Sequence, residues 1–288
     1  MFNLIQIEPI TGTQWGGSRL SEFDVCQQKY KWHYVDGLVP RAEGEAASFG
    51  SAFHEALRGF YSDKTDRPYE ERCLDAIHVG VNYCLKAPET PERALLVDEV
   101  MAGLDQYFIH YRADTMKVSH VEQSYSMMIR GFPSTGRMDL IAEITLADGK
   151  LFRCVPDHKT TGLDWGRFWK KWRFDLSLKG YVYAARKYFN DSHIQMYINA
   201  IRRRKTKNFE LEFQRDIIFY DDNDMKDFED SVESLHLDII DRMEGKRVWR
   251  KNGKACVGLL DGECKYRRLC EFPSEEMKNS LYTRVEVK

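Results

Sequence analysis

The chain has 288 residues, 43% of them hydrophobic, with Lys+Arg 43 against Asp+Glu 45 and a formal net charge of -2. That is enough for one large domain or two small ones with a sizeable core, and the charge balance excludes nucleic-acid binding through bulk charge, so any basic surface must be local. No apolar run approaches the roughly 18 residues needed to span a bilayer, and MFNLIQIEPITGTQWGG at the start has no basic lead into an apolar core, so a cytoplasmic protein with no membrane partner is expected.

In chain order, Leu20, Phe23, Gln27, Tyr30 and Tyr34 recur at helical spacing and predict a helix from Ser18 to about Tyr34, capped by that serine and carrying Cys26. Phe49, Phe53, Leu57 and Phe60 predict a second amphipathic helix from Ser48 to about Tyr61, with His54 beside the apolar stripe. Helices follow over 69–86 and 92–112. The pattern then changes to a period of two, which predicts strands over 120–129, 136–145 and 150–159, the last two joined by a turn at Ala147-Asp148-Gly149. WGRFWKKWRF (165–174) leads into a helix over 175–189, and strands near 193–202 and 208–220 precede a helix from Asp222 to about Gly245. With no repeat or linker, the order predicts one α/β unit over 1–288: a helical part (18–116), a sheet core (117–220), and a C-terminal helix and cysteine-bearing segment (221–288).

The seven cysteines suit a reducing compartment better than a disulfide framework. Cys73, Cys84 and Cys154 lie isolated in apolar patterns and read as core residues, whereas Cys256, Cys264 and Cys270 crowd the C-terminus as a metal or cluster site would.

In CVPDHKTT (154–161), side-chain alternation puts Asp157 and Lys159 on one face of the strand and Pro156 and His158 on the other. Asp139, in GRMDLIAE, stands on the neighbouring strand, about 4.8 Å away, so two carboxylates at matching heights can grip one hard cation such as Mg²⁺. Lys159 can then stabilise charge developing on a phosphate, and a neutral His54 imidazole would favour Mn²⁺ somewhat over Mg²⁺. Read singly, His54 is more often a hydrogen-bonded helix histidine, and Asp157 with Lys159 more often an ordinary ion pair. Glu122, one strand earlier, is either a further reach to the same centre or a surface glutamate.

Taken together, these pieces resemble the PD-(D/E)XK nuclease superfamily, and within it the RecB-type branch with an iron-sulfur cluster. The series is Cys26 in FDVCQQKY, Gly50 and His54 in FGSAFHEAL, Gly136 and Asp139 in GRMDL, Asp157 and Lys159 in VPDHKT, Tyr181 in LSLKGYVYAA, and the three C-terminal cysteines. The resemblance implies a restriction-endonuclease-like fold, a central mixed sheet flanked by helices, with a helical elaboration. It implies a nuclease that hydrolyses phosphodiester bonds through a metal-activated water, with Mg²⁺ or Mn²⁺ held by His54, Asp139, Asp157 and the His158 backbone carbonyl, and Lys159 as catalytic lysine. It further implies a [4Fe-4S] cluster on Cys26, Cys256, Cys264 and Cys270 that joins the N- and C-terminal segments, with structural Zn²⁺ as the alternative occupant. The substrate expected from such relatives is DNA, cut from single-stranded ends, in recombination, repair, CRISPR adaptation or phage settings where protein partners occur. Two positions depart from the pattern. Ser177 replaces the usual glutamine four residues before Tyr181, which leaves a catalytically weak DNA-binding or adaptor subunit as the alternative, and Cys256-x₇-Cys264 is longer than the usual spacing.

Candidate substrate contacts are Tyr181, Ser177, Trp169, Lys170, Lys171 and Arg203. Trp165, Trp169 and Trp172, interleaved with basic residues, suit stacking on unpaired bases as well as a buried lead-in to the next helix. IRRRKTKN (201–208) reads as a phosphate-contacting tip or a charged turn that protects a sheet edge.

Overall fold

The computed structural model describes residues 16–41, 48–146, 148–204, 209–257 and 263–285. It opens with α1 (Gly17–Val25), α2 (Gln27–Tyr30), a π-helical turn over Lys31–Val35 and strand β1 (Leu38–Pro40). The single helix expected from Ser18 to Tyr34 is therefore interrupted: Cys26 is extended, at φ -160° and ψ 109°, and the α1 cap is Gly16 rather than Ser18. The break lies where the C-terminal segment docks. Asn252 Nδ2 donates to the Val25 carbonyl at 2.8 Å, and Gln28 N donates to the Arg250 carbonyl at 3.0 Å, so tertiary partners take backbone groups that a continuous helix would have used.

Next come α3 (Phe49–Ser62), α4 (Tyr69–Leu85) and α5 (Pro91–His110). The Ser48 hydroxyl accepts from Ser51 N and the Thr90 hydroxyl from Arg93 N, so both α3 and α5 begin at side-chain caps. Strands β2 (Lys117–Ile129), β3 (Phe132–Thr145) and β4 (Leu151–Thr161) follow. Arg130 and Gly131, both at positive φ, make the tight β2–β3 turn. Of the turn expected at 147–149, Ala147 lies outside the described residues, while Gly149 supplies a φ of +83°. After β4 come α6 (Trp165–Phe168), a 3₁₀ turn over Trp169–Phe174, and α7 (Leu176–Phe189). They form the long crossover that the parallel pairing of β4 with β5 (Gln195–Arg203) requires. β6 (Leu211–Ile218) completes a mixed five-stranded sheet of order β2-β3-β4-β5-β6. Residues 205–208 of the basic tip lie outside the described residues.

One face of the sheet packs on α3, α4 and α5 through Phe53, Leu57, Leu104 and Tyr107. The other packs on α7 through Val155, Ile198, Val182 and Trp172. The chain is thus an α/β protein with a central mixed sheet flanked by helices. α8 (Asp222–Met243), started by an Asp221 capping box, lies against α1 through Leu20, Phe23, Val232 and Ile239. The C-terminal segment holds α9 (Gly253–Cys256), α10 (Arg267–Glu271), α11 (Glu275–Leu281) and β7 (Tyr282–Arg284), which pairs antiparallel with β1. Trp32, Leu38, Tyr266, Leu269 and Tyr282 form a small core there, so the two ends of the chain meet. Among the described residues no helix is long and apolar enough to cross a membrane.

Candidate active site

The site lies in a fork between β3 and β4. These strands pair from Thr145↔Leu151 to Ala142↔Cys154 and no further. Pro156, two residues on, has no N–H with which to continue the ladder. Extending the same register would set Asp139 opposite Asp157, so the two carboxylates share one height in the gap. The Asp139 side chain reaches across it: its Oδ2 accepts the His158 backbone N–H at 3.1 Å and lies 3.4 Å from His54 Nδ1.

Why these side chains meet follows from the two faces. Val155, Asp157 and Lys159 point toward α7, whereas His158 points toward α3 and α5, where its ring stacks on Tyr61 with centroids 5.7 Å apart. His54 comes from α3 on that second side, and its ring stands edge-on to His158 at 6.0 Å. A continuous sheet would separate the faces, but the fork lets groups from both converge. Two glycines allow the close approach: a Cβ on Gly50 would lie 2.6 Å from Thr160 Oγ1, and one on Gly136 2.5 Å from the Tyr125 ring.

Asp157 is buried, and its Oδ2 is ion-paired with Lys159 Nζ at 2.5 Å. Burial pushes the Asp157 carboxyl up to about 6 against the pull of Lys159, with Asp139 adding to the rise. Burial also pushes Asp139 up, but the His54 hydrogen bond and the positive charges nearby outweigh it and hold that carboxyl well below the ordinary range. Burial lowers His54 and Lys159, yet the facing carboxylates prevail and raise both. Burial drives the His158 imidazole down to about 3, so it is neutral.

Among the described residues, no group of three or more His, Cys, Asp or Glu side chains is arranged as around a metal ion. The reason is visible at the fork: Asp157 is drawn to Lys159, and Asp139 to His54 and His158 N. The donors nonetheless suit a hard divalent cation, being two carboxylates, one of them buried beside Lys159, next to a neutral-capable imidazole.

The other expected residues fall in several places. Tyr181, half-buried on α7, has its phenol pushed up by burial and by Asp157 and Asp139, so it borders the fork. Ser177 packs on α1, its Cα 2.8 Å from where a Gly17 Cβ would be. Trp169 stacks on Trp165 with centroids 6.3 Å apart and donates to Gln214 at 2.8 Å. Trp172 is only 5% exposed, which fits the second of its two readings, a buried lead-in to the next helix; its ring lies 5.7 Å from Lys159 Nζ and 4.3 Å from Lys171 Nζ. Lys170 is exposed. Arg203 is paired with Glu99 and lines a cavity of about 820 Å³ with Ser48, Gly50, Thr160 and Arg204, next to the fork. Glu122 pairs with Arg137 at 2.6 Å, at a φ of 52° on the strand beside Asp139.

At the joined ends, Cys26 is buried and Cys256, Cys264 and Cys270 are half-buried. Burial raises the thiol of each of the last three, and neighbouring cysteines raise it further: Cys270 and Cys26 for Cys256, Cys256 and Cys26 for Cys264, Cys26 and Cys264 for Cys270. Among the described residues these four cysteines are likewise not arranged as around a metal ion.

A profile of the PD-(D/E)XK nuclease superfamily matches residues 14–271, and the chain belongs to that superfamily. Its members are nucleases, generally metal-dependent phosphodiester hydrolases. Among solved structures, the chain is similar to a Eubacterium rectale protein provisionally described as an exonuclease, at 12% identity and a TM-score of 0.49, over 88% of this chain and 87% of that one. It is also similar to the protein SSO0001, at 15% identity and a TM-score of 0.29, over 76% and 85% of the two chains. No curated protein matches it.

Proposed function

We propose that the chain is a Mg²⁺- or Mn²⁺-dependent deoxyribonuclease of the RecB type that degrades single-stranded DNA from its ends. The observation that carries this reading is the fork, where Asp139 is gripped by His158 N and His54 and a buried Asp157, across the gap, is paired with Lys159. His54, Asp139, Asp157 and the His158 carbonyl would hold the cation, which when bound supplies a Lewis acid for the scissile phosphate and a more acidic water. Lys159, drawn off Asp157, steadies the charge that grows on the phosphate. The adjoining cavity, with Arg203 and Arg204, suits the strand approaching the fork, and the half-buried Trp165–Trp169 stack with exposed Lys170 suits unpaired bases.

Cys26, Cys256, Cys264 and Cys270 would hold a [4Fe-4S] cluster that staples the chain ends, with no redox step in the reaction. A second reading, a DNA-binding or adaptor subunit that cuts poorly, is favoured by Ser177, which faces α1 where relatives carry glutamine. Incubating wild type and Asp157→Ala with end-labelled single strands of both polarities and Mn²⁺ separates the readings. Shortening of the strands by wild type alone supports the nuclease, and equal inactivity of both proteins supports the subunit.

A further inference from the structure

Behind the fork, on the α3 and α5 side of the sheet, three polar residues stand in one row: His158 on β4 is in register with Asn199 on β5, and Asn199 with Arg215 on β6. His158 and Asn199 are 3% and 1% exposed, inside a core otherwise built from Phe53, Leu57 and Leu104. An apolar row would fill this space without desolvating an amide, an imidazole and a guanidinium.

The hydrogen bonds in this row have a fixed direction. Arg215 can only donate, and its Nε does so to Asn199 Oδ1 at 3.1 Å, which fixes which way the amide faces. Asn199 Nδ2 then uses its two hydrogens on Tyr107 Oη at 2.7 Å and on His158 Nδ1 at 2.8 Å. Nδ1 must therefore accept, which leaves the imidazole proton on Nε2. Tyr107, which also accepts from Arg215 Nη2 at 3.3 Å, is left to donate to the Tyr61 hydroxyl at 3.2 Å, and Tyr61 stacks on His158. Arg215 is itself held by Asp114 at 2.6 Å and by the Tyr111 ring at 3.6 Å. The amide has no spare capacity, and the His158 ring is fixed on its edge by Asn199 and on its face by Tyr61.

We propose that Asn199, oriented by Arg215, is a positioning residue for the active-site strand: it locks the His158 ring, and with it the peptide whose N–H grips Asp139 in the fork. This rests on the proposed nuclease reading, because the Asp139 carboxylate is taken there as a cation ligand. The row touches no substrate and acts only through the peptide between Asp157 and Lys159.

The test uses the full chain as wild type, Asn199→Leu and Asn199→Ser. Mn²⁺ binding without DNA is followed by electron paramagnetic resonance, cleavage is resolved into kcat and KM, and the ¹⁵N shifts of His158 report its tautomer. Both variants are expected to weaken Mn²⁺ about 10- to 100-fold, the usual loss when a partner behind a ligand is removed. kcat is expected to fall by a similar factor with KM for DNA unchanged, and the His158 Nδ1 signal to leave the acceptor range it holds in wild type. A folded variant that binds Mn²⁺ like wild type overturns the proposal. If Asn199→Leu fails to fold, the serine variant decides on the same measurements. Wild type that neither takes up Mn²⁺ nor cuts DNA overturns the nuclease reading instead, while the tautomer signal, which needs no metal, still judges the row.

Discussion

At the fork, Asp157, His158 and Asn199 sit between two large cores, and their positions are set by strand register and by hydrogen bonds that run through α3, α5 and β6. At the joined ends, strands β1 and β7 are three residues each, the core is five buried side chains, and burial with neighbouring cysteines raises the thiols of Cys256, Cys264 and Cys270. The contrast separates two ways of holding a reactive arrangement. The backbone of the fork is set by the fold, and its two carboxylates are already engaged, Asp157 by Lys159 and Asp139 by His54 and His158 N. The clamp has a smaller apolar core of its own, five buried side chains.

The largest effect expected from breaking this contrast is at the fork. Asp157→Ala should lower the rate of DNA cleavage on the order of 10³-fold, several kcal/mol of transition-state stabilisation, with circular dichroism unchanged. Cys264→Ser should act the other way round. Iron and sulfide should be lost on purification and Tm should fall by about 10 °C, several kcal/mol of folding free energy in a chain of this size, whereas the hydrogen-exchange protection of β4 and β5 should persist. A brown wild-type preparation turned colourless by this substitution would separate a cluster from Zn²⁺.

Gly136→Ala tests the fold around the fork alone. A Cβ there meets the Tyr125 ring at 2.5 Å, and about 1–3 kcal/mol of destabilisation should appear in urea unfolding. Trp169→Ala should raise KM for single strands about tenfold, the value of one stacked base, with kcat retained. The smallest signal is the pH dependence of stability in chelator. Asp157 is more basic in the fold than its usual 3.8, at about 6, so its protonated form stabilises and Tm should fall as pH rises between those values. His54 is raised above 6.5, so its contribution is complete below that value and lost at higher pH. Asp157→Asn should flatten the first stage and His54→Gln the second, while Asp139, whose carboxyl is depressed, opposes this trend only below 3.8.

Much of the site was legible because it is written in local spacing. The alternation through Val155, Asp157 and Lys159 gave one face, and the turn near Gly149 gave the neighbouring strand that carries Asp139. The helix over Phe49–Ser62 was readable from its aromatic stripe and its serine cap. What resisted was everything fixed across elements. The break at Cys26 comes from Asn252 and Arg250, more than 200 positions away, and nothing within FDVCQQKY signals it. Trp172 looks like its neighbours Trp165 and Trp169 in sequence, yet it alone lies buried under Lys159. Asn199 was open to detection as an amide between Ile198 and Ala200 in a buried strand, but its partners were not.

Local pattern was enough for most of the elements, the shared face of Asp157 and Lys159, and the set of residue types able to hold a hard cation, because side-chain period and chemistry are properties of a short segment. Only the tertiary structure decided that β3 and β4 part after Ala142 and Cys154, that Asp139 closes the gap onto His158 N, and that Arg215 and Asn199 dictate the tautomer behind it. Register between strands and the direction of a hydrogen bond are set by partners distant in the chain, and a period carries no record of which partner arrives.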